Sequence, residues 1–246
     1  MTSTTTRPAR RITIRQFVPP QHGAWAMLLL PYLAGVCSAG FRWPDLPLLG
    51  AWLGGYLLSY FVFQAIKSRR PARYRQQFLI YGLATLVFGV PTVLAEPSLL
   101  LFAPVYAVLL AVNAWYAYRR RERALLNDLS SVLQSSLMVF VVGAIAGQTV
   151  GHEIAPFLVV FLYLTGAVFY VKTMIRERES PGYHRASIAV HAVALALVCV
   201  LGLFATLIFA FLLARAWSLP GRGLTPKRVG LIEIAASVLV FLTALS

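Results

Sequence analysis

The sequence predicts an all-α, polytopic membrane bundle of about nine transmembrane helices, and three observations predict it. Of the 246 residues, 59% are hydrophobic and only 12% are charged, and mean hydropathy is +0.74. A soluble domain of this length needs far more polar surface. Apolar runs near the ~20 residues that cross a ~30 Å hydrocarbon core recur along the chain. The basic residues cluster after every second run, as the bias of cytoplasmic loops toward lysine and arginine requires.

The opening residues, 1–18, are polar and basic, with no apolar core of a signal peptide, and are expected to form a cytoplasmic tail. Residues 19–246 then read as one transmembrane domain. Apolar runs cover 24–40, 46–66, 78–95, 98–118, 130–150 and 155–171, and the last covers 229–245. Residues 186–218 require a decision. As a single helix they would rise about 50 Å at ~1.5 Å per residue, too long for one ordinary span. As two short spans they would turn near Gly202. Charge decides in favour of two. With nine spans and a cytoplasmic N-terminus, every one of the 22 basic residues except Arg42 falls on the cytoplasmic side, whereas eight spans would strand Arg215, Arg222, Lys227 and Arg228 outside. The expected location is therefore the cytoplasmic (inner) membrane of a bacterium, N-terminus inside and C-terminus outside.

Net charge is +14, which in a soluble protein would suggest nucleic acid. In a membrane bundle it points to anionic lipid or an anionic substrate, and no nucleic-acid partner is expected. Cys37 and Cys199 lie in apolar runs and form no metal-binding spacing. Glycines and prolines within the runs (Gly54, Gly55, Gly89, Pro91, Gly143) point to close helix packing and kinks.

The polar residues of the spans collect toward the cytoplasmic half. Gln21 and His22 open the first helix, where unpaired N–H groups favour an anion; the alternative there is an interfacial anchor beside Trp25. Gln64 and Lys67 lie one turn apart at the end of the second run, before Arg69 and Arg70, a cluster suited to phosphate or to setting topology. Asn113 is an intramembrane amide that must face a helix or a cavity. Asn127 or Asp128 is read first as a cap of the fifth helix, with pairing to an arginine across loops as the other use. The stretch 170–185 is dense in both signs of charge: Lys172, Arg176 and Glu179 share one helical face, and His184, Ser187 and His191 line up at i, i+3 and i+7. Arg178 joins the cations there. Glu233 lies in the first turns of the last helix, placed to pair with a neighbouring arginine.

Together these residues predict a cavity open to the cytoplasm, basic at its mouth and apolar deeper in. Such a cavity suits an anionic headgroup carrying an apolar tail. Gln21, Gln64, Lys67, Arg69, Arg70, Asn113, Lys172, Arg176, Arg178 and Glu233 are the binding candidates, and His22, His184 and His191 the acid/base candidates. No metal or cofactor is expected. A small-anion transporter, or an accessory subunit of a respiratory complex, is the alternative.

Three stretches carry a family resemblance. Gln-His-Gly-Ala-Trp-Ala-Met at 21–27, Arg-Arg-Arg-Glu-Arg-x3-Asn-Asp at 119–128 and Tyr-Val-Lys-Thr-Met-Ile-Arg-Glu-Arg at 170–178 resemble the YwiC-like family of bacterial membrane proteins, nearly throughout from Pro19. Residues 29–35 and 130–147 are similar to the first and fifth helices of UbiA-type prenyltransferases. That resemblance implies a nine-helix bundle with a site in the cytoplasmic loops after helices 2 and 6. The aspartate-rich motifs that hold magnesium in those enzymes are missing here: the loop after helix 2 has no acid, and the loop after helix 6 has only Glu177 and Glu179. A transferase of this type would therefore work without metal.

Overall fold

The computed structural model describes residues 16–19 and 22–243, with side chains except those of residues 22–24. Among the described residues the chain is helical, without strands. Its helices are α1 (His22–Ala39), α2 (Asp45–Ser68), α3 (Arg75–Ala95), α4 (Ala103–Tyr118), α5 (Leu125–Ile145, interrupted at Leu137), α6 (Val150–Ile175), α7 (Pro181–Val198), α8 (Leu203–Ser218) and α9 (Pro226–Thr243). With their short 3-10 extensions, six of these segments are long and apolar enough to cross a membrane, α2 through α7.

The division of residues 186–218 falls where chain length and charge put it. α7 ends in a 3-10 turn over Cys199–Leu201, and Gly202, at φ 135°, starts α8. That backbone conformation is open to glycine and strained for other residues.

α1 is the hub, packing on α5, α6 and α9. Pro31 lies inside it and has no N–H to give the Met27 carbonyl one turn back. The Ser135 hydroxyl of α5 donates to that carbonyl instead, and Trp52 Nε1 of α2 donates to the adjacent Leu28 carbonyl at 3.1 Å. Freed backbone in a lipid-facing fold must be satisfied by neighbouring helices, and these two contacts do so. The main core joins Leu30, Ala34, Val139, Val160, Leu164 and Phe209, drawn from α1, α5, α6 and α8.

α2 and α3 form a tight hairpin. A Cβ on Gly54 would stand 3.0 Å from Thr85 Oγ1 and 3.2 Å from its backbone nitrogen, so the glycine permits this approach. The other face of α3 presents Leu79, Leu83, Leu86 and Leu94 outward, all exposed. An apolar face of this kind is suited to lipid.

Among the boundaries that depart from the hydropathy reading are two helix starts. α5 begins at Leu125 rather than residue 130, because its polar first turns find partners on neighbouring helices. α6 begins at Val150, with the Thr149 hydroxyl accepting from the His152 N–H at 3.4 Å, and takes in the buried Glu153. A helix also stops sooner than the face shared by Lys172, Arg176 and Glu179 requires. α6 closes at Ile175, so Glu179 lies beyond it in the connecting turn.

Candidate functional site

Helices α2, α4, α6 and α8 end in one layer, with the loops that carry the arginines and lysines; this is the cationic end. The stretch linking α4 to α5 organises it. Lys67, at the end of α2, pairs with Glu122 at 2.8 Å. Lys172, near the end of α6, pairs with Asp128 at 2.8 Å and donates to the Arg123 carbonyl at the same distance. Two lysines from different helices thus grip one seven-residue segment. Asn127 Nδ2 donates to the Glu122 carbonyl at 2.9 Å and closes the turn.

These contacts correct the reading of Asn127 and Asp128 as helix caps. The residue at the cap position is Ala124, with no side-chain bond, and Asp128 lies in the first turn of α5. There its charge favours the helix N-terminus and also neutralises a lysine, rather than an arginine. Partial burial pushes the Glu122 carboxyl up, but the hydrogen bond and charge of Lys67 outweigh it and hold the group below the usual glutamate range.

Beside this segment runs an apolar groove of about 790 Å³ between α4 and α5, walled by Val108, Val112, Trp115, Leu129, Leu133 and Phe161. At its cationic end the Arg119 guanidinium lies 4.7 Å from the centre of the Trp115 ring. Arg69 lies 5.8 Å from the centre of the neighbouring Tyr118 ring. Trp115 and Tyr118 are themselves in ring contact, 6.2 Å apart. A wall of the groove therefore carries one arginine directly and a second through its neighbour. Arg120, Arg121 and Arg123 are exposed in the same loop.

Not every candidate lies at this end of the groove. Gln21 and the His22 side chain lie outside the described residues. Gln64 donates to the Tyr60 hydroxyl at 3.2 Å within α2, and Asn113 donates to Gln134 of α5 at 3.2 Å, behind the groove wall. Arg70 and Arg176 are exposed. Arg178 turns toward the α8–α9 loop, where it donates to the Leu224 carbonyl at 2.8 Å. His184 is half-buried, and its Nε2 has no partner among the described residues. His191 is buried, with Nδ1 on the Ser187 carbonyl at 2.8 Å and its ring packed on Gly166 of α6. Among the described residues, no three of histidine, cysteine, aspartate and glutamate form a group able to hold a metal.

Glu233 belongs to a different cluster, and its main partner was read from sequence only as a topology-setting cation. Arg215 of α8 pairs with Glu233, whose carbonyl and second carboxylate oxygen accept from the Tyr163 hydroxyl at 3.0 and 3.4 Å. The Arg215 guanidinium lies 4.1 Å from the centre of the Tyr170 ring. The available signal was an arginine inside an apolar span, next to a final span holding one acid.

Bundle and cationic end together define a helical, membrane-type protein. The family model described as YwiC-like protein matches residues 18–143. The chain is 34% identical to the uncharacterized protein YwiC of Bacillus subtilis over 228 residues, covering 90% of this chain and 93% of that one. It is 30% identical to an uncharacterized protein of Haemophilus influenzae over 236 residues, covering 94% and 98%. This chain belongs to the YwiC-like family. No solved structure matches it.

Proposed function

We propose that this is an integral protein of the bacterial inner membrane that binds an anionic lipid-like molecule, with an isoprenoid phosphate in the class it suits. The tail would lie in the α4–α5 groove, and the anionic group would sit under Arg69 and Arg119 at the cytoplasmic end. One observation carries this reading: Trp115 lines the apolar groove and bears Arg119 on its ring. An amphipathic anion needs apolar surface ending in cations, and those two contacts supply both at one residue. Lys67 and Lys172 act on the loop that presents the arginines, since each already holds an acid.

The enzymatic form of the reading is a metal-independent prenyl or headgroup transfer on a UbiA-like scaffold, the arginines stabilising a departing diphosphate. His184 and His191 do not line the groove, so binding is the function the geometry supports best. The test is native mass spectrometry of the purified protein with its co-extracted lipids. Wild type is expected to retain an anionic lipid or isoprenoid phosphate. Arg69→Gln/Arg119→Gln should lose it, and Ala111→Trp, which fills the groove from its wall, should lose it as well. A wild-type protein that carries only zwitterionic lipid would refute the reading.

A further inference from the structure

Away from the groove, the α6–α9 side of the bundle buries a polar group that lipid binding does not use. Arg215 lies in the last turn of α8 with its side chain 2% exposed. Its Nη1 meets one oxygen of Glu233, and the other oxygen of that carboxylate is turned to the Tyr163 hydroxyl. Glu233 therefore holds the guanidinium by one corner instead of along an edge. The face of the guanidinium is covered by the Tyr170 ring. What is left is the edge formed by Nε and Nη2, buried and without a hydrogen-bond partner among the described residues. The Tyr170 hydroxyl is buried and without a partner as well. Unmet buried donors cost about 1–3 kcal/mol each, more when charged, so a fold that keeps three of them at one place calls for an acceptor.

The chemistry of that acceptor follows from the edge. Nε–H and Nη2–H of an arginine point in parallel and match the two oxygens of a carboxylate or phosphate. Buried against an aromatic ring, such a fork binds more strongly than one in water. Arg215 lies in the last turn of α8, so the α8–α9 loop, residues 219–225, follows directly after it, with Gly221 and Gly223 at φ 85° and 66° making the turns. Leu219 and Leu224 of this loop pack on Tyr170, Met174, Ala216 and Val229, and Arg178 holds the loop through the Leu224 carbonyl.

We propose that the Nε/Nη2 edge of Arg215 and the Tyr170 hydroxyl form an oxyanion-binding site beneath the α8–α9 loop, taking a carboxylate or phosphate group. Glu233 and Tyr163 fix the guanidinium for it, and Arg178 secures the cover. The site is separate from the α4–α5 groove and shares no residue with it.

Thermal unfolding of the detergent-purified full chain tests this, with potassium acetate, potassium phosphate or dihexanoyl phosphatidate compared against potassium chloride at matched ionic strength. A ligand that binds only the folded state raises Tm saturably. Wild type is expected to show such a rise above chloride with at least one probe. A rise with acetate or phosphate marks a free anion as the ligand source, and a rise with the phosphatidate alone that persists in Arg69→Gln/Arg119→Gln marks a lipid headgroup. Arg215→Lys keeps a charge for Glu233 but lacks the fork, and should abolish the rise. Tyr170→Phe removes only an unpartnered hydroxyl, so it should fold as wild type does and weaken the apparent affinity several-fold; it decides the matter if Arg215→Lys does not fold. The phosphatidate series is run in the Arg69→Gln/Arg119→Gln background, which removes the groove's own response to an anionic lipid, so that a rise persisting there is read at this site alone. Equal behaviour in all salts and with the phosphatidate, or a rise unchanged in Tyr170→Phe and in any folded Arg215→Lys protein, would overturn the proposal.

Discussion

Lys67 and Lys172 look alike on paper: each ends a long apolar helix, and each meets an acid of the α4–α5 segment at 2.8 Å. Their surroundings differ. The Lys67 side chain is 43% exposed and its partner Glu122 33%, while Lys172 is 7% exposed and adds the Arg123 carbonyl as a second partner. Water competes at both ends of the first pair and, in the second, only at Asp128, which is 26% exposed. The α2 contact therefore adjusts the arginine-bearing loop, and the α6 contact anchors it. Geometry alone ranks the two equally; desolvation separates them.

Breaking the buried member should have the largest effect. Lys172→Met leaves Asp128, which water can reach, and the Arg123 carbonyl without their lysine and is expected to cost about 2 kcal/mol. Adding Asp128→Asn should recover most of that loss in a denaturation series run in the same detergent. If the double variant is no more stable than the single, the anchor is not an ion pair. A neutral interhelical contact should fall between the two lysines: Asn113→Ala, which unpairs Gln134, is expected to lose about 1 kcal/mol by the same measurement.

Lys67→Ala should cost less than about 1 kcal/mol and should shrink further with added salt. The smallest effect is in pH. Glu122 is held below its ordinary value in the folded chain, so its contribution is complete above the unfolded carboxylate pKa and disappears as pH falls through the depressed folded value. Tm followed from neutral pH into acid should therefore converge for wild type and Glu122→Gln. A gap between them that widens in acid would mean the carboxylate is not stabilised by Lys67.

Hydropathy and charge made the bundle legible, because both act along the sequence. Residues 186–218 were too long for one span, and four late cations needed a ninth helix, so the break at Gly202 could be placed before any packing was known. The start of α5 could not. Leu125–Ser136 mixes leucines with serines, Asn127, Asp128 and Gln134, and it is helical because α4 and α6 answer those polar groups. The clustering of cations at one end was legible, and their partners were not: Arg69 lies over Tyr118, while Glu233 pairs with Arg215 and Arg178 donates to the α8–α9 loop. In sequence Arg119 is one of a run of loop cations, and its position on Trp115 follows from helix phase and packing at the groove. An arginine buried within an apolar helix, such as Arg215, is a better pointer than a loop arginine, because its apolar surroundings leave it few ways to be satisfied.

Trp115 offers the most direct measurement of the central claim. With Trp25, Trp43, Trp52 and Trp217 replaced by phenylalanine, the remaining indole reports on the groove wall. Its fluorescence would be followed in micelles as phosphatidate or phosphatidylcholine brominated on the acyl chain is added. Quenching by the anionic lipid at lower concentration than by the zwitterionic one, with that preference lost in Arg69→Gln/Arg119→Gln, is the expected result. Equal quenching by both lipids, unchanged in the arginine variant, would contradict a headgroup site at the end of the groove.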